Sequence, residues 1–218
     1  MSKSSAIVLV IALIAAVIFL ADGFVDLGSL ARIAKPIPVL CLALWLFLLP
    51  EKGRYQWAVI VGLLLSAAGD VFLGGSPFLL GLISFLLAHI AYIIAYLQDC
   101  RRPSFYLAVL AYGYGALMYA FLFREGELAK MTIPVLFYVI VICTMLWRAA
   151  ARLGAPGVAK MTGLTGLLGA ALITISDSLL SINMFVQALS LERLLVMLTY
   201  WAGQIGFTLA AYWQLKKE

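Results

Sequence analysis

Two aspartates stand where a carboxylate is hardest to place. Asp70 closes "GLLLSAAGD" (62–70), late in an otherwise uncharged stretch, and Asp177 closes "GAALITISD" (169–177) in the second half of the chain. Insertion scales put an acid at mid-bilayer at roughly 2.5–3.5 kcal/mol unfavourable, so such residues are expected to face a bundle interior or a wet cavity and to mark function. Two carboxylates sharing a poorly solvated site do not both ionise readily, which sets a general acid beside a negative charge. That arrangement suits a reaction that begins with protonation and passes through a cation.

Other polar residues fall at matching depth. At 1.5 Å per residue, Asp70 lies roughly 21 Å and Asp177 roughly 25 Å from the starts of their spans, while His89, Tyr200 and Gln204 lie roughly 9–16 Å into spans running the other way. Lys35 begins a span at the same end of the bundle. Gly81, Phe85, His89, Tyr92 and Tyr96 recur every three or four residues and so share one helix face. The substrate-binding set is therefore Lys35, His89, Tyr92, Ser176, Tyr200 and Gln204, around the catalytic candidates Asp70 and Asp177. Each has a plainer alternative. Lys35 can snorkel or neutralise an aspartate instead of receiving a phosphate, and Tyr200 and Gln204 can serve as interhelical hydrogen bonds. His89 is the one histidine of the chain, which excludes a three-histidine metal site. No Gly-x-Ser-x-Gly elbow or phosphate-cradling loop is present, and no cofactor or metal is expected.

These residues must be positioned by helices in lipid. The 218 residues are 65% hydrophobic and 11% charged, against about 25% charged in soluble domains. Apolar runs of bilayer length predict eight transmembrane helices, at 5–21, 34–49, 56–73, 78–97, 104–123, 132–148, 161–181 and 194–215. Short turns, such as 51–55 and 74–77, leave no room for a soluble domain. The expectation is an all-α integral membrane protein with one polytopic domain over 1–218. The first run is expected to stay as a span rather than be cleaved as a leader, because Asp22 follows it without a small-x-small site.

The net charge of +5 needs no nucleic acid to explain it. With the N-terminus inside, ten Lys and Arg fall inside, Lys217 among them, and five outside, so both termini are expected to be cytoplasmic. The aspartates then lie in the outer half of a bacterial-type inner membrane. Gly62-x7-Asp70 and Gly169-x7-Asp177 fall on the third and seventh spans, and each of these spans follows one that carries proline near its start (Pro36 and Pro38; Pro134). This plan suggests parallel four-helix repeats over 1–103 and 104–218; the alternative is independent recurrence among glycine-rich helices. Cys41, Cys100 and Cys143 are odd in number and form no disulfide framework.

"KPIPVL" (35–40), "GLLLSAAGDVFL" (62–73), "FLLGLISFLLAHIAY" (78–92), "ISDSLLSINMF" (175–185) and "TYWAGQ" (199–204) together resemble the YhhN family of lysoplasmalogenases, in order and across both halves. The resemblance implies an eight-helix hydrolase that cuts the vinyl-ether bond of a single-chain ether lysophospholipid, giving a fatty aldehyde and glycerophosphoethanolamine or glycerophosphocholine. Lys35, Asp70, His89, Asp177, Tyr200 and Gln204 match its motif positions, and Trp201 stands where a tyrosine is expected. The lipid is expected to enter from the side, with its headgroup near Lys35. Which aspartate carries the proton, and the oligomeric state, stay open. Two rivals also remain: a proton-coupled transporter using the paired aspartates, and an intramembrane aspartyl protease, for which Gly-x-Gly-Asp and Pro-Ala-Leu sequences are lacking.

Overall fold

The computed structural model describes residues 3–74 and 78–216, so most of the expected 74–77 turn and Lys217 lie outside the described residues. Within that range the chain forms α1 (Lys3–Ala21), α2 (Ser29–Ala34), α3 (Ile37–Phe47), α4 (Arg54–Leu73), α5 (Phe78–Asp99), α6 (Phe105–Glu125), a 3₁₀ turn (Ala129–Met131), α7 (Thr132–Arg152), α8 (Lys160–Phe185) and α9 (Glu192–Leu215), and no strand among the described residues. Among the described residues, seven helical segments are long and apolar enough to cross a membrane, counting Ser29–Phe47 as one; α1 contributes a shorter apolar stretch, Ser5–Ala21. Leu117, Phe123 and Ile133 are exposed while Gln56, Ser66, Asp70, His89 and Gln204 are buried. That inversion of the soluble pattern fits an integral membrane protein whose polar groups must be satisfied internally.

The second span departs from the continuous helix expected over 34–49. Pro36 and Pro38 cannot return hydrogen bonds to the carbonyls of Arg32 and Ala34, and the helix is interrupted between α2 and α3. Lys35 sits at that joint, its amide held by Ala31 O at 3.0 Å.

Two contacts identify one end of the bundle: Arg193 at the start of α9 pairs with Asp22 just past α1, and Glu127 N donates to Phe185 O at 2.8 Å. The opposite end is closed by Arg148, which donates to Cys100 O and Arg102 O, and by Gln56, which donates to Ala211 O at 3.0 Å. Each half packs in chain order, α1 on α3, α3 on α4 and α4 on α5, then α6 on α7, α7 on α8 and α8 on α9. The halves join through α5 with α7 and α3 with α9. The tightest seams need glycine. A Cβ on Gly206 would stand 2.7 Å from Gly169 Cα, and one on Gly62 would stand 2.3 Å from the Tyr92 ring. α6 is the most peripheral long helix and buries only Ala111, Gly115 and Leu122. All three cysteines are free and buried.

Candidate active site

Asp70 lies one turn from the end of α4, and its carboxylate is 2% exposed. It is held from two sides: Lys35 Nζ stands 3.6 Å from Oδ1, and the Tyr200 hydroxyl donates to Oδ2 at 2.8 Å. Asp177, two turns from the end of α8, is held in a parallel way. The Tyr138 hydroxyl donates to Oδ2 at 2.6 Å, and His89 Nε2 stands 3.8 Å from the same oxygen. Each arrangement takes one group from the preceding span of its own half (Lys35; Tyr138) and one from the last helix of the other half (Tyr200; His89). Aromatic edges back both: Phe85 meets Tyr200 at 5.9 Å, and His89 meets Tyr138 at 5.3 Å.

The aspartates line a single cavity of about 320 Å³ at the Asp22–Arg193 end of the bundle, together with Lys35, Ser176 and Tyr200. Leu73, Phe78, Phe85, Leu180, Met184 and Met197 form its apolar wall, and Phe19, Glu192 and Arg193 complete its lining toward the end of the bundle. Asp177 also borders two smaller, largely apolar clefts, one among α5, α7 and α8 and one among α6, α7 and α8. The site thus grades from charged to apolar across one carboxylate. No group of three or more His, Cys, Asp or Glu side chains with metal-ligand geometry occurs among the described residues.

Not every expected residue reaches the cavity. Ser176 is on its wall, but its hydroxyl is committed to Val196 O at 2.9 Å. Tyr92 donates to Gln204 Oε1 at 2.7 Å, with Ser66 Oγ 3.4 Å from the tyrosine oxygen; this buried chain ties α4, α5 and α9 together away from the cavity lining. His89 reaches the site through Asp177, and its Nδ1 has no partner among the described residues. Trp201 is buried and packs edge-on against Phe19, with ring centroids 6.0 Å apart.

Sequence reasoning passed over Tyr138, Glu192 and Arg193. Tyr138 lies four residues after Pro134 in a run of apolar neighbours, where a tyrosine reads as packing. The two charges read as a solvated loop. Arg193 instead hydrogen-bonds Asp22 and, at 3.3 Å, Phe19 O, with its guanidinium 5.0 Å over the Phe19 ring. That hydrogen bond, with the amide of Leu27, holds the Asp22 carboxyl below its usual range.

The model of the YhhN family matches residues 30–211. The chain is 33% identical to human "Lysoplasmalogenase TMEM86B" over 188 residues, 85% of this chain and 77% of that protein. It is 32% identical to bovine "Lysoplasmalogenase TMEM86A" over 191 residues, 83% and 78% of the two chains. A "Lysoplasmalogenase homolog" of Dictyostelium discoideum is 30% identical over 148 residues, 56% and 49% of the two chains. No solved structure matches.

Proposed function

The chain belongs to the YhhN family, and from that membership we propose that it is a lysoplasmalogen hydrolase, releasing a fatty aldehyde and a glycerophospho headgroup by carboxylate acid–base catalysis. The observation that carries the proposal is the pair of aspartates on one cavity wall with unequal partners. Lys35 supplies a counter-charge to Asp70, whereas Asp177 is paired with no Lys or Arg among the described residues. Asp70 is therefore the carboxylate and Asp177 the acid, with Tyr138 on Oδ2 leaving Oδ1 to carry the proton.

The reaction starts when Asp177 transfers its proton to the vinyl-ether carbon distal to oxygen. The C=C electron pair forms the new C–H bond, and the adjoining carbon becomes an oxocarbenium ion. Negative Asp70, held by Lys35 and Tyr200, stabilises that cation and takes a proton from the water that adds to it. The resulting hemiacetal breaks its bond to the glycerol oxygen: Asp70 returns a proton to that oxygen, and the hemiacetal hydroxyl gives its proton to Asp177. Both carboxyls regain their starting states. The alkenyl chain lies along the Leu, Phe and Met wall. In the membrane, the termini are cytoplasmic and the cavity lies in the outer half, following the charge bias. The halves 1–103 and 104–218 are parallel repeats, a reading supported by their matching helix order and matching aspartate partners.

The test is aldehyde release from a lysoplasmalogen by purified protein in D₂O. The expected product carries one deuterium on the carbon next to the carbonyl, and Asp70→Asn and Asp177→Asn, folded as wild type, release none. Aldehyde without that deuterium, or undiminished release by either variant, would overturn the mechanism.

A further inference from the structure

Resting on that reading, we infer that Glu192 and Arg193 form the headgroup subsite, taking a zwitterionic phosphodiester–ammonium group at the outer part of the cavity. The expected phosphate acceptor, Lys35, is already committed: its side chain is 17% exposed and its ammonium stands 3.6 Å from Asp70. Arg193 is ion-paired too, with Asp22, but through a single nitrogen of its guanidinium. Only Nη1 is engaged, by Asp22 and by Phe19 O, and the Phe19 ring supports the guanidinium from one face. Nε and Nη2 have no hydrogen-bond acceptor among the described residues, and the side chain lines the cavity while remaining 37% exposed. Asp22, whose other oxygen accepts from the amides of Leu27 at 2.7 Å and Gly28 at 3.2 Å, holds only that one nitrogen in place. Arg193 is thus a guanidinium fixed at one nitrogen with others open, which suits a phosphate oxygen.

Glu192, the neighbouring residue, lines the same cavity and makes no ion pair among the described residues. A simple anion would meet Arg193 but be repelled by Glu192 and Asp70, and a simple cation would meet the reverse. A phosphate with an ammonium two carbons away satisfies both side chains at once. Phosphoethanolamine or phosphocholine is therefore the headgroup chemistry the pair fits, and electrostatic complementarity of this kind sets specificity more than total affinity.

The experiment measures binding to the full-length protein in detergent, using a saturated 1-O-alkyl lysophosphoethanolamine, which cannot form the oxocarbenium ion and is not cleaved. A 1-O-alkylglycerol of the same chain length serves as the headgroup-free comparison. Arg193→Gln is expected to weaken the phospholipid about tenfold and the alkylglycerol by less than about twofold. Glu192→Gln is expected to weaken the ethanolamine lipid but not its counterpart ending in a bare phosphate, and inorganic phosphate is expected to displace neither. Equal losses for lipids with and without the headgroup would mark Arg193 as a structural link only. No loss, or displacement by inorganic phosphate alone, would equally overturn the subsite. Binding of an uncleaved ether does not depend on catalysis, so failure here is separable from failure of the proposed hydrolysis, which wild-type aldehyde release reports.

Discussion

The Tyr138 hydroxyl donates a 2.6 Å hydrogen bond to Asp177 Oδ2, the oxygen that His89 also faces. Tyr138 is thereby a positioning residue for the proposed acid, acting through the carboxyl rather than on the substrate. A hydrogen bond to a charged or developing charge is worth about 1.5–3 kcal/mol, so Tyr138→Phe is expected to lower kcat roughly tenfold to a hundredfold with little change in KM. Tyr200→Phe is expected to do the same through Asp70. Steady-state kinetics beside a thermal melt checks this. A lowered melting temperature with unchanged kcat would make these hydroxyls packing groups alone.

Asp70 and Asp177 are legible because a carboxylate in an apolar run has few bland explanations, and "KPIP" places Lys35 at the start of a span. Of their partners, Lys35, His89 and Tyr200 are candidates from sequence, and Tyr138 is not. Tyr138 has ordinary spacing, and Tyr92 and Gln204, expected at the site, bond each other instead, because whether a hydroxyl meets a carboxylate or an amide depends on which helices touch. The split of the second span into α2 and α3 is invisible to hydropathy, which averages across Pro36 and Pro38. Asp99 and Arg152 stand at span ends, where charges read as solvated, yet the structure buries both. Only the approach of α5 to α7 puts them together.

The seam between α8 and α9 gives a second prediction. A methyl on Gly206 would meet backbone, 2.7 Å from Gly169 Cα and 2.9 Å from Thr165 O, which no rotamer change relieves. Gly206→Ala is expected to destabilise the bundle by about 1–3 kcal/mol, the range for overpacking. At Gly113, where nothing lies within 4 Å of an added Cβ, Gly→Ala is expected to be tolerated. Thermal melts of the two variants decide it, and equal behaviour would remove the close helix approach as the reason for glycine at 206.

At the far end from the cavity, Arg152 Nε and Nη2 each donate to Asp99 at 2.9 Å while the guanidinium lies between the Tyr55 and Tyr96 rings. Arg152 is fully buried, so Asp99→Asn strands a cation and is expected to cost about 3–5 kcal/mol of stability. Replacing both partners with apolar residues is expected to cost less than that single change. Because neither residue lines the cavity, kcat per folded molecule is expected to be unchanged. A double variant no more stable than Asp99→Asn would contradict the account.

The link from Asp22 to Arg193 joins the end of α1 to the start of α9, and its pH dependence has a definite sign. The Asp22 carboxyl is held below its ordinary value of 3.8, first by the Arg193 hydrogen bond and then by the Leu27 amide. A carboxyl depressed on folding stabilises the folded state at all pH values above its unfolded value. That contribution is lost only as pH falls through the lower, folded value. Wild type is therefore expected to melt above Asp22→Asn by a constant margin from neutral pH down to about pH 4. The two curves are then expected to converge as acid protonates Asp22 and frees Arg193. Melts across that range in detergent make the comparison. A margin that persists undiminished through the acid limb would mean that the side chain stabilises by its shape and amide contacts rather than by its charge.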